Sequence, residues 1–215
     1  MSGQGQGNPA AVGLAAFGLT TLLLQFHNLG WCGTGVVFCT AITLGGAVQL
    51  IAGFQEFKCG NNFGYSVFTV FGAFWLALGL IWFILDLQGA QSPLIGSHLK
   101  ITPTDIGFFL LAFSIYALIM WVASMRISSM MAFAFTTLVL GFAGLDLLFL
   151  MDMKWLMPAV AIDLTLCALS AWYMMAHIIF LQVFGKDILP VGRPWITSKP
   201  GLKPVMIKEA ATCGS

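Results

Sequence analysis

The sequence predicts an all-α fold, a polytopic membrane protein with six transmembrane helices, and three observations carry that expectation. Hydrophobic residues make up 59% of the 215 and charged residues only 8%, with a mean hydropathy of +0.94. That is far more apolar surface than one soluble core of this size can hide. The apolar residues come in runs of about 20, the length that crosses a hydrocarbon layer roughly 30 Å thick. Between the runs stand short polar stretches rich in Gly, Pro, Ser and Asn, which act as caps and turns. Room for roughly six spans with short loops implies one compact membrane domain over 9–184, flanked by a short N-terminal segment over 1–8 and a Pro-rich tail over 185–215.

The elements follow in order. Met1 to Gly7 holds no Lys or Arg and no cleavage pattern, so a cleaved signal peptide is not expected. The first span runs from about Pro9 to His27, with Asn8 as N-cap and Pro9 at the first helical position, where a missing N–H is harmless. The second runs from about Gly35 to Phe54 and leaves the membrane at Gln55-Glu56-Phe57-Lys58. The third spans about Phe63 to Leu85, and the longest loop, Asp86 to Lys100, follows it. Thr102-Pro103-Thr104-Asp105 starts the fourth with a cap, a Pro and an acidic N3 residue, and it ends near Ser124. The fifth covers about Ser129 to Leu150 and the sixth about Trp155 to Phe184, with Pro158 tolerated in its first turn. The tail, with Pro190, Pro194, Pro200 and Pro204, reads as extended.

Loop charge sets the expected orientation. With the N-terminus inside, the inner set holds Lys58, Arg126, Lys186, Arg193, Lys199, Lys203 and Lys208, against Lys100 and Lys154 outside. Both termini are thus expected in the cytoplasm of a plasma-membrane protein. The net charge of +1 and the lack of a basic cluster argue against nucleic acid. Five cysteines without a CxxC pair or a neighbouring His suggest neither a metal site nor a disulfide framework, and no cofactor is expected.

Spans one, three and five enter from the same side, and two of them share a pattern. Asn8 precedes Phe17-Gly18 by the same step that separates Asn62 from Phe71-Gly72. Leu138 falls at a matching depth in span five, although Ser129 replaces the Asn and no Gly follows. At 1.5 Å rise per residue all three sit roughly 12–15 Å deep, near mid-membrane. Three hairpins inserted alike suggest an approximate threefold repeat about an axis along the membrane normal, with Phe17, Phe71 and Leu138 forming a narrow ring in a central pore. The alternative is that large apolar residues at mid-depth occur in any membrane helix.

Several sequence blocks resemble the acetate uptake transporter family, which includes bacterial succinate-acetate permeases and fungal acetate and ammonia-export-associated proteins. Asn8-Pro9-Ala10-Ala11-Val12-Gly13-Leu14 is similar to that family's NPAPLGL signature. Further blocks are Phe17 to Thr21 with His27-Asn28, Gln49 to Gly53 with Glu56-Phe57, Asn62 to Trp75, and Phe184-Gly185 with Leu189-Pro190-Val191-Gly192. The resemblance implies six helices per protomer, a pore within each, a homohexamer, and uptake of acetate and similar short carboxylates, succinate among them. The family's constriction of Phe, Tyr and Leu falls on Phe17, Phe71 and Leu138, so this chain lacks the Tyr hydroxyl.

A carboxylate crossing lipid must be hydrated, met by donors or protonated. The candidate donors are Asn8 and Asn62 with the helix starts they mark, Thr20, Thr21 and Asn28 outward of Phe17, and Gln49 in span two. Each Thr could instead bond the preceding turn, and Gln49 could join helices. Candidate proton carriers are Glu56, Asp146, Asp163 and His27. Against that role, Glu56 reads as an interfacial partner of Lys58, the two Asp residues as interhelical hydrogen-bonders, and His27 as a membrane-edge anchor, with His177 at the inner interface. No nucleophile and base pair supports an enzyme. The leading expectation is acetate transport by proton symport or channel-like conduction. The alternatives are a passive channel for urea or ammonia, and a sensor or assembly protein without flux.

Overall fold

Capping residues start most of the helices. The side chain of Asn8 accepts from the Ala10 N–H ahead of α1, Pro9–Asn28. Thr102 and Asp105 exchange hydrogen bonds in a full capping box at the start of α4, Pro103–Ser124, and Ser128 accepts from Met131 ahead of α5, Ser129–Leu150. These bonds satisfy first-turn N–H groups that lipid could not. In the computed structural model, which describes residues 7–197, the other helices are α2, Thr34–Lys58, α3, Asn62–Gly89, and α6, Met157–Phe184. With the short 3₁₀ turn Lys154–Leu156 leading into α6, all six spans are long and apolar enough to cross a membrane. Among the described residues there is no strand. The outer parts of the expected terminal segments, 1–6 and 198–215, lie outside the described residues.

Two boundaries depart from the sequence reading. The second span does not end at Phe54 but runs through Lys58, and its middle, Ala41–Val48, is π-helical. In this polar stretch Glu56 alone is buried while Gln55, Phe57 and Lys58 are exposed, so the helix continues with one face packed against its neighbours. The third span extends to Gly89, beyond the expected Leu85. Cys32, Cys39 and Cys167 are free thiols, whereas Cys59 is disulfide-bonded, a pairing that no Cys spacing announces.

Helix α1 packs along α6 on one side and α2 on the other, α2 packs along α3, and α6 along α5, which packs on α4. The ring closes between α3 and α4 through aromatic side chains, which hold those two backbones apart. Phe74 stacks on Phe109 at 5.4 Å and meets Phe113 edge-on at 4.9 Å, while Ser66 and Tyr116 hydroxyls lie 2.9 Å apart. Offset and edge-on pairs of this kind add to plain apolar burial. The outer surface is apolar, with Ile51, Phe83, Phe108, Ile119, Leu140 and Ile162 exposed, as a lipid-facing girdle requires.

Close approach of α1 and α6 depends on Gly18. A Cβ there would stand 2.5 Å from the Trp172 ring and 2.9 Å from the Ala168 carbonyl oxygen. Trp172 is itself fixed by donating its Nε1–H to the Ala15 carbonyl at 3.3 Å. Gly18→Leu should therefore force the helices apart at about 1–3 kcal/mol, lowering the unfolding temperature in detergent well below that of wild type.

Candidate functional site

A cavity of about 320 Å³ opens within the bundle, walled by α1, α2, α3, α5 and α6. Phe17, Phe71 and Leu138 all line it. Phe71 is 1% exposed and Leu138 6%. The Phe17 and Phe71 rings meet edge-on with centroids 6.1 Å apart, and Phe71 also touches Phe74, Phe113, Tyr116 and Phe142. These contacts hold the Phe71 ring in place, so its edge is a fixed wall rather than a swinging side chain. From this level the cavity extends toward the helix starts, where Ala10, Asn61, Ser128, His177 and Val191 line it.

The polar side chains of this wall are few, and of them Gln49 is unsatisfied, whereas Asn61, Ser128, Cys167 and His177 have hydrogen-bond partners; Thr20, Thr21 and Trp75 lie outside the lining. Gln49 is fully buried, lines the cavity, and has no hydrogen-bond partner for either amide atom. Thr20 and Thr21, one turn beyond Phe17 toward the Asn28 end, are also buried with unpartnered hydroxyls. The back-bonding alternative for these threonines is thus not what the structure holds, although Thr69 and Thr137 do make such bonds. Trp75, missed in the sequence, adds an unpartnered Nε1–H beside Gly45, which Thr20 also abuts. Buried polar atoms left unsatisfied are rare and call for an explanation.

At the Asn8 end the sequence reading needs two corrections. The cap of α3 is Asn61, whose side chain accepts from the Gly64 N–H at 3.1 Å, and not Asn62, which is exposed as the first helical residue. The three-residue step from Asn61 to Gly64 is the signal that could have identified it. Glu56 is no interfacial partner of Lys58: it is 1% exposed, and Asn61 Nδ2 donates to its Oε2. Its carboxylate lies near the Ala10 backbone N–H and close against Gly64, so it sits between the starts of α1 and α3. Helix N-termini present partial positive charge, which favours a carboxylate there. Asn8 caps α1.

The remaining candidates are dispersed. Asn28 Nδ2 donates to Gln25 Oε1 at 3.0 Å, and the buried Gln25 in turn donates to the Thr21 carbonyl at 3.0 Å. Gln25 was not singled out in the sequence. His27 Nδ1 lies 3.1 Å from the Cys32 carbonyl, as an anchor for the α1–α2 turn. Asp146 accepts from Ser114 of α4 at 2.7 Å, an interhelical bond. Asp163 abuts Gly141 at the α5–α6 contact and has one buried oxygen without a partner. Neither Asp lines the cavity. His177 lies at the cavity's mouth, 3.1 Å from Asp187. The segment after α6 returns across this end, with Met130 N–H donating to the Val191 carbonyl at 2.9 Å and the Ser129 hydroxyl to the Arg193 carbonyl at 2.6 Å.

Residues 2–183 match the GPR1/FUN34/yaaH family. The succinate-acetate/proton symporter SatP of Escherichia coli strain K12 is 30% identical over 186 residues, covering 86% of this chain and 95% of its own. Acetate permease A of Emericella nidulans is 34% identical over 149 residues, 67% of this chain and 47% of its own. Ammonia transport outward protein 2 of Saccharomyces cerevisiae is 38% identical over 134 residues, 59% of this chain and 45% of its own. The solved structure of the bacterial acetate channel SatP superposes with a TM-score of 0.80 at 30% identity, covering 87% of this chain and 99% of that one.

Proposed function

The chain belongs to the GPR1/FUN34/yaaH family, and from that premise we propose that it carries acetate and similar short-chain monocarboxylates, succinate at the upper limit of size, through a pore in each protomer. The observation that carries this reading is the convergence of Phe17, Phe71 and Leu138 on the wall of one cavity with few polar atoms. The three side chains form the constriction, and an apolar constriction excludes hydrated inorganic ions by staying dry. Asn8 and Asn61 serve one side of it, Thr20, Thr21 and Asn28 the other, and Gln49 stands at its level. Asn61 takes the part expected of Asn62.

The Lys and Arg distribution favours a plasma-membrane protein with both termini cytoplasmic, so the cavity opens inward. The lipid-facing girdle leaves room for assembly into a homohexamer, the state the sequence resemblance implies. The function is transport without an enzymatic step. Among the proton candidates, Glu56 is the one placed beside the cavity's lining, next to Asn61, while His27 is held at the Cys32 carbonyl and Asp146 is bonded to Ser114 through one oxygen, its other being buried without a partner.

Purified protein in vesicles should take up labelled acetate, and urea far less, at both pH 6 and pH 7.5. Uptake of urea without acetate would overturn the assignment and favour a channel for small neutral solutes. The absence of Lys and Arg from the cavity lining is the observation that favours that second reading. Phe17→Ala and Leu138→Ala should each widen the constriction, admitting larger carboxylates or leaking small ions. If both kept wild-type acetate rate and selectivity, these residues would not form the narrow point.

A further inference from the structure

Gln49 is a buried amide with nothing to bond. It lies directly after the eight-residue π-helical segment Ala41–Val48, and π-helical turns within α-helices are frequent at functional sites. Its level follows from its neighbours. Gly45, one turn earlier, abuts Thr20 and Trp75, and Leu50, the next residue, abuts Gly72 beside Phe71. Gln49 therefore stands at the height of the Phe17 and Phe71 rings, lining the cavity with both Nε2 and Oε1 unpartnered. An amide offers a donor and an acceptor side by side.

Only some ligands satisfy both atoms at once. A neutral carboxylic acid does so in a closed pair: Nε2–H donates to the acid's carbonyl oxygen, and the acid's hydroxyl donates to Oε1. A carboxylate anion keeps the first bond, but its second oxygen faces Oε1 with no proton between them. A buried acceptor facing another acceptor is penalised well beyond the loss of one bond. Nothing at this level neutralises an anion. Of the cavity-lining residues, the titratable ones are Cys167 and His177. Glu56, further along α2 beside Asn61, is anionic when ionised and so repels a second anion. From α1 and α3 the cavity-lining groups at this level are Phe17 and Phe71, and Thr20 and Trp75 lie one turn away against Gly45; none carries a charge.

We propose that Gln49 selects the protonated acid at the constriction, and that primary amides of matching size occupy the same position. This rests on the acetate-transport reading and deepens it. A neutral acid carries its own proton, so net transport equals symport of one acetate and one proton, with no separate proton path needed. The acid is reprotonated and deprotonated by water at the two mouths, and no bond within the protein breaks.

The test uses the full-length protein in vesicles, with uptake through protein-free vesicles subtracted. Labelled acetate uptake at fixed total concentration should rise about tenfold for each pH unit lowered, as the neutral acid does. Acetamide should inhibit it, whereas acetone, which has an acceptor and no donor, should not at equal concentration. Gln49→Leu should lose at least tenfold of the uptake and all of the acetamide inhibition, while its unfolding temperature stays level or rises, because no existing hydrogen bond is removed. Uptake that ignores pH, or wild-type protein insensitive to acetamide, would overturn the proposal without needing any variant. So would a Gln49→Leu protein with wild-type uptake and inhibition. Absence of any acetate uptake by the wild type would instead overturn the transport reading itself.

Discussion

Phe71→Ala is expected to cost about 3–5 kcal/mol of stability and to turn a selective pore into a leaky one. Phe71 is 1% exposed and meets five other aromatic rings, from Phe17 on α1, Phe74 on its own helix, Phe113 and Tyr116 on α4, and Phe142 on α5. It thus lines the cavity beside Phe17 and Leu138, as the constriction we propose requires, and is the wedge through which α3 reaches α4, where the backbones approach little. Truncation leaves a void between helices whose other rings are too large and too constrained to collapse into it. Thermal unfolding in detergent and the decay of an imposed ion gradient in vesicles measure the two consequences separately. Phe71→Tyr is the control: it keeps the volume, adds a hydroxyl, and should be mild in both assays. A Phe71→Ala protein with wild-type unfolding temperature and ion tightness would mean that neither the wedge nor the ring depends on this side chain.

The six spans were legible because the determinants are local. Length, apolar composition and caps such as Asn8, Thr102 with Asp105, and Ser128 act within a few residues, and lipid imposes helix on everything between them. The convergence of Phe17, Phe71 and Leu138 on one wall was legible for a related reason, since equal depth on helices entering from one side can be counted along the chain. What could not be read depends on which helix faces which. The extension of α2 through Lys58 and the burial of Glu56 follow from the packing of α2 against α1 and α3, and from there the charged pattern Glu56-Phe57-Lys58 looks identical to a membrane-edge pair. The π segment carries no composition signal, because Ala41–Val48 would suit an α-helix equally well. Asp146 and Asp163 had equal standing as intramembrane carboxylates, and only the position of Ser114 separates them.

The largest loss from a single polar change is expected at Asn61→Leu. One side chain there does two jobs: its Oδ1 accepts the Gly64 N–H as the cap of α3, and its Nδ2 donates to Glu56. Losing the cap costs about 1 kcal/mol. Losing the donor is worse, because Glu56 is 1% exposed and has its other oxygen already unpartnered. Leaving a buried acceptor without its donor typically costs about 1–3 kcal/mol. Glu56→Gln should do less harm, since the amide oxygen still accepts from Asn61 and only the attraction to the starts of α1 and α3 is weakened. Asn62→Ala should do almost none, as that residue is exposed and caps nothing. The ranking Asn61→Leu, then Glu56→Gln, then Asn62→Ala in unfolding temperature therefore tests the clasp as a unit. An Asn61→Leu protein as stable as Asn62→Ala would show that Glu56 does not tie these helix starts together. If the clasp holds, Asn61→Leu should also slow acetate uptake, because Asn61 and Ala10 line the cavity that the clasp keeps in shape.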